Sequence, residues 1–362
     1  MDTLYAQLCS YPNLYLAYSK ARKGKTQKPY VLEFEHDLAY NLLTLQGELI
    51  SHTYYPLPLQ EFVIRDPKTR RINRSAFRDR IVHHALCLII EPLFEHCFIY
   101  DSYANRKGKG VLKALERYRR FLQKVSYNYS KTAFVLKADI KKYFETVPHN
   151  QLISILHQKI KDEDVLLLIK NILSNYCRDR KAVGMPLGNL TSQFFANVYL
   201  NELDQFVKHN LKAHYYIRYV DDFVLLHHSA TTLKDYKVKI AEFLAKRLAL
   251  QLHPDKSKIM PAEKGVDFLG VRMFLHHTLL KKKNIGKFRR KYVLLSDGYD
   301  KGKIEYDSMY DFMEGWIAHA KYANTYKLRK KVLSHFEFTF PKEISSKEVN
   351  RNRLKNKREY KS

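Results

Sequence analysis

Two adjacent aspartates, Asp221 and Asp222, lie between two apolar strands in the stretch YIRYVDDFVLL. A tight hairpin turn usually contains Gly or Asn, because its central residues need a positive φ, and neighbouring carboxylates repel each other. A divalent cation would remove that repulsion, whereas a solvated surface turn is the simpler alternative. A third acid, Asp139, ends the predicted strand AFVLKADI. The three aspartates are the minimum set for two Mg²⁺ ions, about 3.5–4 Å apart, that catalyse phosphoryl transfer.

The charge of the chain points to a polyanionic partner. Its 362 residues include 64 Lys and Arg against 37 Asp and Glu, which gives a net charge of +27. Nucleic acid is the first candidate and an anionic membrane surface is the second. The 27 Tyr and 20 Phe residues suit base stacking, although most of them are expected in the core. Nucleotide polymerisation requires both cations that bind the nucleic-acid strands and acids that bind the metal ions.

Cellular location is predicted from what the sequence lacks. No apolar run approaches the roughly 18 residues of a membrane span, and the first residues do not resemble a signal peptide. Cysteines without a CxxC pair indicate reduced thiols in the cytoplasm. A zinc site could be considered at His83, His84, Cys87 and Cys97. The helical spacing of these residues within an apolar stretch favours core packing instead.

Hydrophobic periodicity predicts a mixture of helices and antiparallel hairpins, and therefore an α+β fold. Residues 1–60 are mainly helical in this pattern, and EFVIRDPKTRRI forms two short strands around a turn. HYYIRYVDDFVLLHHS is strand, turn and strand, and VDFLGVRM lies in another hairpin. Residues 284–340 are predicted to be helical. Residues 342–362 are basic and poor in apolar residues, so disorder, or order only on a partner, is expected there.

Five motifs in this chain resemble those of reverse transcriptases from bacterial retroelements. In chain order they are FRDRIVHHAL, KADIKKYF, YVDD, LHPDKSKI and VDFLGVRM, within a block from Phe62 to Leu280. Their order over about 220 residues is far more specific than any one of them. The resemblance implies a right-hand polymerase, with fingers and palm built from an antiparallel sheet plus helices, and a helical thumb.

This resemblance also implies a division of the chain. It consists of an N-terminal helical extension at 1–60, fingers with the start of the palm at 61–138, the palm with the catalytic site at 139–280, a helical thumb at 281–341 and a basic tail at 342–362.

One motif departs from most bacterial reverse transcriptases, which read PQG followed shortly by SP. The stretch GMPLGNLTSQFFANVYLNELD has Leu187 in place of Gln and Gln193 in place of Pro. It is similar to reverse transcriptases of diversity-generating retroelements. These enzymes copy a template-repeat RNA into cDNA with errors at adenines, and the cDNA diversifies a target gene. The resemblance further implies dNTP substrates and a small, basic, often oligomeric accessory variability protein.

Three alternatives remain open on the sequence. The chain could be another bacterial reverse transcriptase, of retron, defence or group II intron type. It could instead be a non-catalytic RNA-binding protein on a polymerase fold, although its three acids argue against this. An RNA-directed RNA polymerase is disfavoured because Phe144 would exclude ribonucleotides.

Residue roles follow from matching each motif to the family. Asp139, Asp221 and Asp222 would bind two Mg²⁺ ions, with Mn²⁺ as a substitute in vitro, beside the backbone carbonyl of Ile140. Phe144 would be the steric gate against a ribose 2′-OH; the alternatives are a core aromatic or the neighbouring Tyr143. The other nucleotide-binding candidates are Lys68, Arg70, Leu187, Gly188, Gln193 and Lys256, and the primer or template candidates are Gly270, Arg74, Lys107 and Lys109. For Lys68 and Arg70 the simpler interpretation is a solvated basic hairpin, with Arg71 and Arg74 as rivals.

Overall fold

The computed structural model describes residues 3–65, 69–176 and 182–351. The chain forms two compact units: Met1–Arg117 with Val135–Ile259, and Tyr118–Phe134 with Met260–Ser362. Both units are therefore discontinuous in sequence, unlike the linear division expected above, because residues 118–134 pack with the C-terminal region.

Helices at the start of the first unit are α1 (Leu4–Cys9), α2 (Tyr11–Arg22), α3 (Pro29–His36) and α4 (Leu38–Ile50). Side-chain hydroxyls cap the N-termini of α1 and α2. The Thr3 hydroxyl accepts from the Ala6 N–H, and the Ser10 hydroxyl accepts from the Asn13 N–H. A long helix, α5 (Phe77–Glu95), has a mostly buried face that packs against them. Before α5 the chain forms a two-stranded hairpin, β1 (Gln60–Ile64) and β2 (Arg70–Arg74), which pair antiparallel.

A four-stranded sheet forms the centre of the first unit. It contains β3 (Phe134–Asp139), β4 (Tyr216–Tyr219), β5 (Asp222–His227) and β6 (Lys258–Pro261), in the order β4-β5-β3-β6. The helix α6 (Val111–Val125) precedes β3. Val, Leu, Ile and Phe fill β3, β4 and β5, and nearly all of these side chains are buried. The sheet therefore holds the ends of β3, β4 and β5 in fixed positions.

The connections of the sheet are helical. After β3 come α7 (Tyr143–Thr146), α8 (His149–His157), α9 (Glu163–Ser174) and α10 (Leu190–Gln205), which continues into a π-helical turn at Phe206–Asn210. The helix α11 (Ala230–Leu248) follows β5. α10 is buried over most of its length, so its polar residues Asn197 and Asp204 lie inside the protein.

In the second unit a three-stranded antiparallel sheet precedes three helices. The strands are β7 (Val266–Phe268), β8 (Val271–Met273) and β9 (Thr278–Leu280), and the helices are α12 (Lys282–Asp300), α13 (Tyr306–Ala320) and α14 (Tyr326–Thr339). The rings of Phe288 and Trp316 stack at 4.1 Å between α12 and α13. Helices and antiparallel strands in both units confirm the predicted α+β fold class.

The C-terminal tail differs from its expected disorder. Residues 346–351 are helical, and polar contacts hold them against α13. Ser346 donates to Asp307, Lys347 pairs with Asp311, and Arg351 Nη1 lies 2.6 Å from Glu314 Oε1. The amino-acid composition does not predict this helix, because ion pairs rather than apolar burial hold it against α13. Residues 352–362 of the tail lie outside the described residues.

None of the described helices has the length and apolar character needed to cross a bilayer.

Candidate active site

The β4–β5 hairpin carries the two adjacent aspartates in a strained turn. Tyr219 pairs with Asp222, so the central turn residues are Val220 and Asp221. The predicted turn of two aspartates is therefore displaced by one residue, and Asp222 begins β5. Val220 has φ 55°, in the left-handed region that a β-branched side chain rarely adopts. Such strain persists only where the surrounding structure holds the backbone in place.

Arg218 provides that restraint from beneath the turn. Its guanidinium is fully buried and donates from Nη1 to the Val220 carbonyl at 3.2 Å. The same group makes a bidentate pair with Asp204, at 2.7 Å from Nε to Oδ1 and 2.6 Å from Nη2 to Oδ2. A buried ion pair of this kind is favourable only when hydrogen bonds satisfy its remaining atoms. The strained turn is thus tied to a buried charge on α10.

Other polar groups complete the network around this ion pair. Arg218 also donates to Asn197 Oδ1 and Ser102 Oγ, each at 3.2 Å, and Tyr216 donates its hydroxyl to Asp204 at 2.8 Å. None of these residues is among the site residues predicted from the sequence. The available signals were a cation inside the apolar strand YIRYV and an acid inside the buried helix NVYLNELD. Neither reveals its partner without the fold.

Backbone contacts bring the third carboxylate to the hairpin. The Ile140 N–H donates to the Asp221 carbonyl at 3.2 Å, directly after β3 ends in Asp139. The Asp139 carbonyl accepts from the His253 N–H at 2.7 Å. Burial, and next the charge of Asp139, raise the pKa of Asp221 to about 6. The structure therefore brings together the three aspartates that the sequence predicts, and burial disfavours the ionisation of Asp221.

Two lysines face these acids. Lys256 Nζ lies 3.0 Å from Asp139 Oδ1, and Lys137 Nζ lies 3.6 Å from Asp222 Oδ1. Burial raises the pKa of Asp222, while Lys137 opposes this effect. Lys256, which the sequence predicts to bind the nucleotide, thus contacts Asp139, the first of the predicted metal-binding acids.

The carboxylates fit a divalent metal in their chemistry. Asp222 Oδ1 is buried and accepts no hydrogen bond, although Lys137 lies nearby. Carboxylate oxygens are the ligands that Mg²⁺ takes in proteins. Although the three aspartates are neighbours, no three His, Cys, Asp or Glu side chains among the described residues already have the arrangement of a metal site. Two of the three acids face lysines instead.

Tyr143 and Phe144, the two candidates for the steric gate, have different environments. Tyr143 is fully buried and donates its hydroxyl to the Ala196 carbonyl of α10 at 2.8 Å. Phe144 is half-buried, and its carbonyl accepts from the Met185 N–H at 2.6 Å. Tyr143 is therefore a core residue, which leaves Phe144 as the ring that a substrate could meet.

The loop before α10 meets the β1–β2 hairpin. The Asn73 N–H donates to the Leu187 carbonyl at 3.1 Å, and the Ser75 N–H donates to Asn189 Oδ1 at 3.3 Å. Gly188 has φ 120°, and a Cβ there would lie 2.8 Å from Ile72 Cγ2, so only glycine fits this close approach. Two segments predicted to bind the nucleotide are thus adjacent. Gln193 is half-buried in the first turn of α10.

The remaining predicted residues are more scattered. Arg70 and Lys107 are exposed, and Lys68 lies outside the described residues. Arg74 contacts Gln60 and stacks over Tyr30, while Lys109 donates to the Tyr100 carbonyl at 2.8 Å. Gly270 belongs to the second unit, in the β7–β8 turn with φ 91°, where its carbonyl accepts from Asn284 at 3.2 Å. Arg74 and Lys109 are therefore engaged within the protein.

Comparison with known proteins connects this geometry to a family. The sequence model of the family "Reverse transcriptase (RNA-dependent DNA polymerase)" matches residues 65–273. Protein YkfC of Escherichia coli (strain K12) is 28% identical, and the match covers 70% of this chain and 74% of that protein. The group II intron-encoded protein LtrA of Lactococcus lactis subsp. cremoris is 29% identical, and the match covers 43% of this chain and 26% of that protein. A structure of apo telomerase from Candida tropicalis has a TM-score of 0.45 at 13% identity, covering 67% of this chain and 60% of that one.

Asp221→Asn is expected to stabilise the metal-free protein at neutral pH. Because the folded-state pKa of Asp221, about 6, is above its unfolded value, ionisation opposes folding. The favourable contribution of the protonated acid is complete below about pH 4 and is lost as the pH rises through about 6. Denaturant unfolding in EDTA should show a gain of about 1–3 kcal/mol at pH 7.5 and none at pH 4. Asp235→Asn, an exposed position on α11, is the control, and an equal gain at both pH values would contradict the assignment.

Arg218→Met should destabilise the fold by about 3–5 kcal/mol, because it leaves the Asp204 carboxylate buried without its partner. Tyr216→Phe removes only one hydrogen bond, from a neutral hydroxyl to the same carboxylate, so its expected cost is smaller, about 1.5–3 kcal/mol. Urea unfolding of both variants measures the difference. Similar small losses in the two variants would show that the ion pair contributes little.

Proposed function

Because the chain belongs to the reverse transcriptase (RNA-dependent DNA polymerase) family, whose model matches more than half of it, we propose that it synthesises DNA on an RNA template at the aspartates of β3 and the β4–β5 hairpin. The observation that carries this proposal is the convergence of Asp139, Asp221 and Asp222, with a buried oxygen of Asp222 that accepts no hydrogen bond.

Asp139, Asp221 and Asp222, with the carbonyl of Ile140, would hold two Mg²⁺ ions, or Mn²⁺ in vitro. When bound, these ions supply positive charge that activates the primer 3′-hydroxyl and stabilises the departing pyrophosphate. Lys137 and Lys256 balance the negative charge of the acids in the absence of metal. The Arg218 network keeps the Asp221 backbone in position throughout.

Nucleotide selection is proposed to occur between the β1–β2 hairpin and the loop before α10. Arg70 and Lys68 would contact the triphosphate, since a guanidinium meets phosphate oxygens in pairs. Phe144 would lie against the position of a 2′-hydroxyl, and Gly188 would allow the backbone to approach the nucleotide. Strand contacts would involve Arg74, Lys107, Lys109 and Gly270. In this scheme residues 61–138 belong to the fingers, 139–280 to the palm and 281–341 to the thumb.

A finer proposal is that the enzyme belongs to a diversity-generating retroelement. The stretch LGNLTSQ, with Leu187 and Gln193, supports it. The Leu187 carbonyl is bound to the β1–β2 hairpin, so its side chain lies in the segment proposed to contact the incoming nucleotide. The enzyme would then copy a template-repeat RNA in the cytoplasm, with errors at adenines. It would work with a small basic accessory protein.

A second candidate is a reverse transcriptase of the group II intron type. Similarity to LtrA, at 29% identity, favours it. The two candidates differ in fidelity, because only the first is expected to misincorporate mainly opposite template adenine. Sequencing of cDNA made by the purified chain on a defined RNA template would distinguish them.

Asp222→Asn is expected to lower DNA synthesis on an RNA template by at least about a thousandfold, the scale on which single catalytic groups contribute. RNA binding should remain, because cations elsewhere provide it. Primer extension and a filter-binding assay measure the two properties, and Asp235→Asn is the matched control. Full polymerase activity of Asp222→Asn would contradict the site assignment.

Leu187→Gln is expected to reduce errors opposite template adenine more than errors opposite other bases. A Gln side chain can hydrogen-bond and restrain the loop, whereas Leu can only pack. A gain of about 1.4 kcal/mol in discrimination would lower the error frequency about tenfold. Leu187→Met, which adds no amide, is the control and should keep the wild-type error spectrum. Deep sequencing of cDNA from one RNA template is the measurement; an unchanged adenine error frequency would remove Leu187 from the mechanism.

A further inference from the structure

A cavity of about 360 Å³ lies in the second unit, beside the turn between β8 and β9. We call it the β8–β9 cavity. Its walls contain Arg119, Tyr129, residues 274–278, Lys321 and Asn324. None of the described residues lining it is acidic, and aromatic and cationic side chains predominate. A volume of this size accommodates a small organic group, and the wall chemistry favours one that is flat and carries negative charge.

A strained loop carries one of the residues that line the β8–β9 cavity, Tyr129. Tyr127, Asn128 and Tyr129 have φ values of 49°, 55° and 66°, so three consecutive non-glycine residues are left-handed. The Asn128 N–H donates to the Gln123 carbonyl at 2.8 Å, Gln123 donates from Nε2 to Asn128 Oδ1 at 2.9 Å, and the Tyr129 N–H donates to Ser126 Oγ at 3.0 Å. Strain that is held so firmly is characteristic of ligand-binding segments. Here the strained backbone places the Tyr129 ring at the cavity.

Aromatic rings from the β8–β9 turn line the same cavity. His276 contacts Tyr129 edge to face, with ring centroids 4.9 Å apart, and Phe274 stacks on His277 at 4.5 Å. Both histidines are exposed. Flat rings that remain accessible are the groups on which unpaired bases stack, without regard to base identity.

Two cationic side chains, Arg119 and Lys321, line the cavity together with these rings. Arg119 donates from Nη2 to Thr278 Oγ1 and to the Tyr322 carbonyl, each at 3.1 Å, so its guanidinium is fixed. Both bonds use the same nitrogen, which leaves the Nε and Nη1 groups for a phosphate. Lys321 is exposed at the same cavity. A ring platform next to a fixed guanidinium matches the base and phosphate of one nucleotide.

We infer that the β8–β9 cavity binds an unpaired nucleotide of single-stranded nucleic acid, with the base against Tyr129 and His276 and the phosphate at Arg119. The β8–β9 turn lies at the other end of strand β8 from Gly270, which is the predicted primer contact of this unit. The site is therefore additional to that contact. The identity of the bound strand rests on the proposed function.

The test is the affinity of the full chain for a fluorescent 12-nucleotide single-stranded RNA and for a DNA of the same sequence, measured by anisotropy. Tyr129→Ala and Arg119→Ala should each weaken binding about tenfold, the scale of one lost base-stacking contact. Tyr129→Phe should bind as wild type does, because it keeps the ring. His276→Ala, in an exposed turn, tests the site independently of the strained loop. Tyr40→Ala, an exposed tyrosine on α4, is the control.

Weaker binding of either oligonucleotide supports the site, and a loss confined to RNA or to DNA identifies the strand. Extension of a preformed RNA–DNA primer–template should stay within about twofold of wild type in Tyr129→Ala, so failure of this site is distinguishable from failure of the polymerase. A 4-thiouridine RNA should crosslink to peptides containing Tyr129 or His276. Wild-type affinity of folded Tyr129→Ala, Arg119→Ala and His276→Ala, or crosslinks confined to other peptides, would overturn the inference.

Discussion

The buried ion pair between Arg218 and Asp204 is the interaction on which the geometry of the candidate active site depends. Both side chains are fully buried, and the guanidinium reaches the carbonyl of Val220, the strained residue of the β4–β5 turn. An unpaired charge in this position would be strongly destabilising, so the two residues hold each other in one geometry. The turn, the strand β4 and the helix α10 are thereby joined at the point where the acids project.

Packing the acids together has an electrostatic consequence. Burial and mutual repulsion raise the pKa values of Asp221 and Asp222, and Lys137 and Lys256 only partly compensate. These raised pKa values agree with the proposed divalent metal site, because a divalent cation would favour the ionised carboxylates more strongly than a lysine does. Stability is lost at the site in the metal-free state, as is common where function requires like charges to be close.

Much of this arrangement could be predicted from the sequence. The α+β fold and the hairpin around the aspartates follow from periodicity, and family resemblance placed Asp139 with Asp221 and Asp222. The turn was displaced by one residue because turn propensities do not include a buried arginine that stabilises a left-handed valine. Asp204 and Asn197 were missed because their roles exist only after α10 packs beneath β4. The helix at 346–351 was missed because ion pairs with α13, rather than apolar residues, order it.

The central claim is that Arg218 positions the acids by holding the Val220 carbonyl. Arg218→Lys keeps a positive charge for Asp204, but a single ammonium group cannot reproduce the bidentate pair and the bond to Val220 together. The direct measurement is the single-turnover rate of DNA synthesis by this variant on an RNA template, with folding and primer–template affinity measured alongside. The account predicts a folded protein with wild-type affinity and a rate lower by about tenfold to a hundredfold, as expected for displaced catalytic groups. A wild-type rate in the folded variant would contradict it.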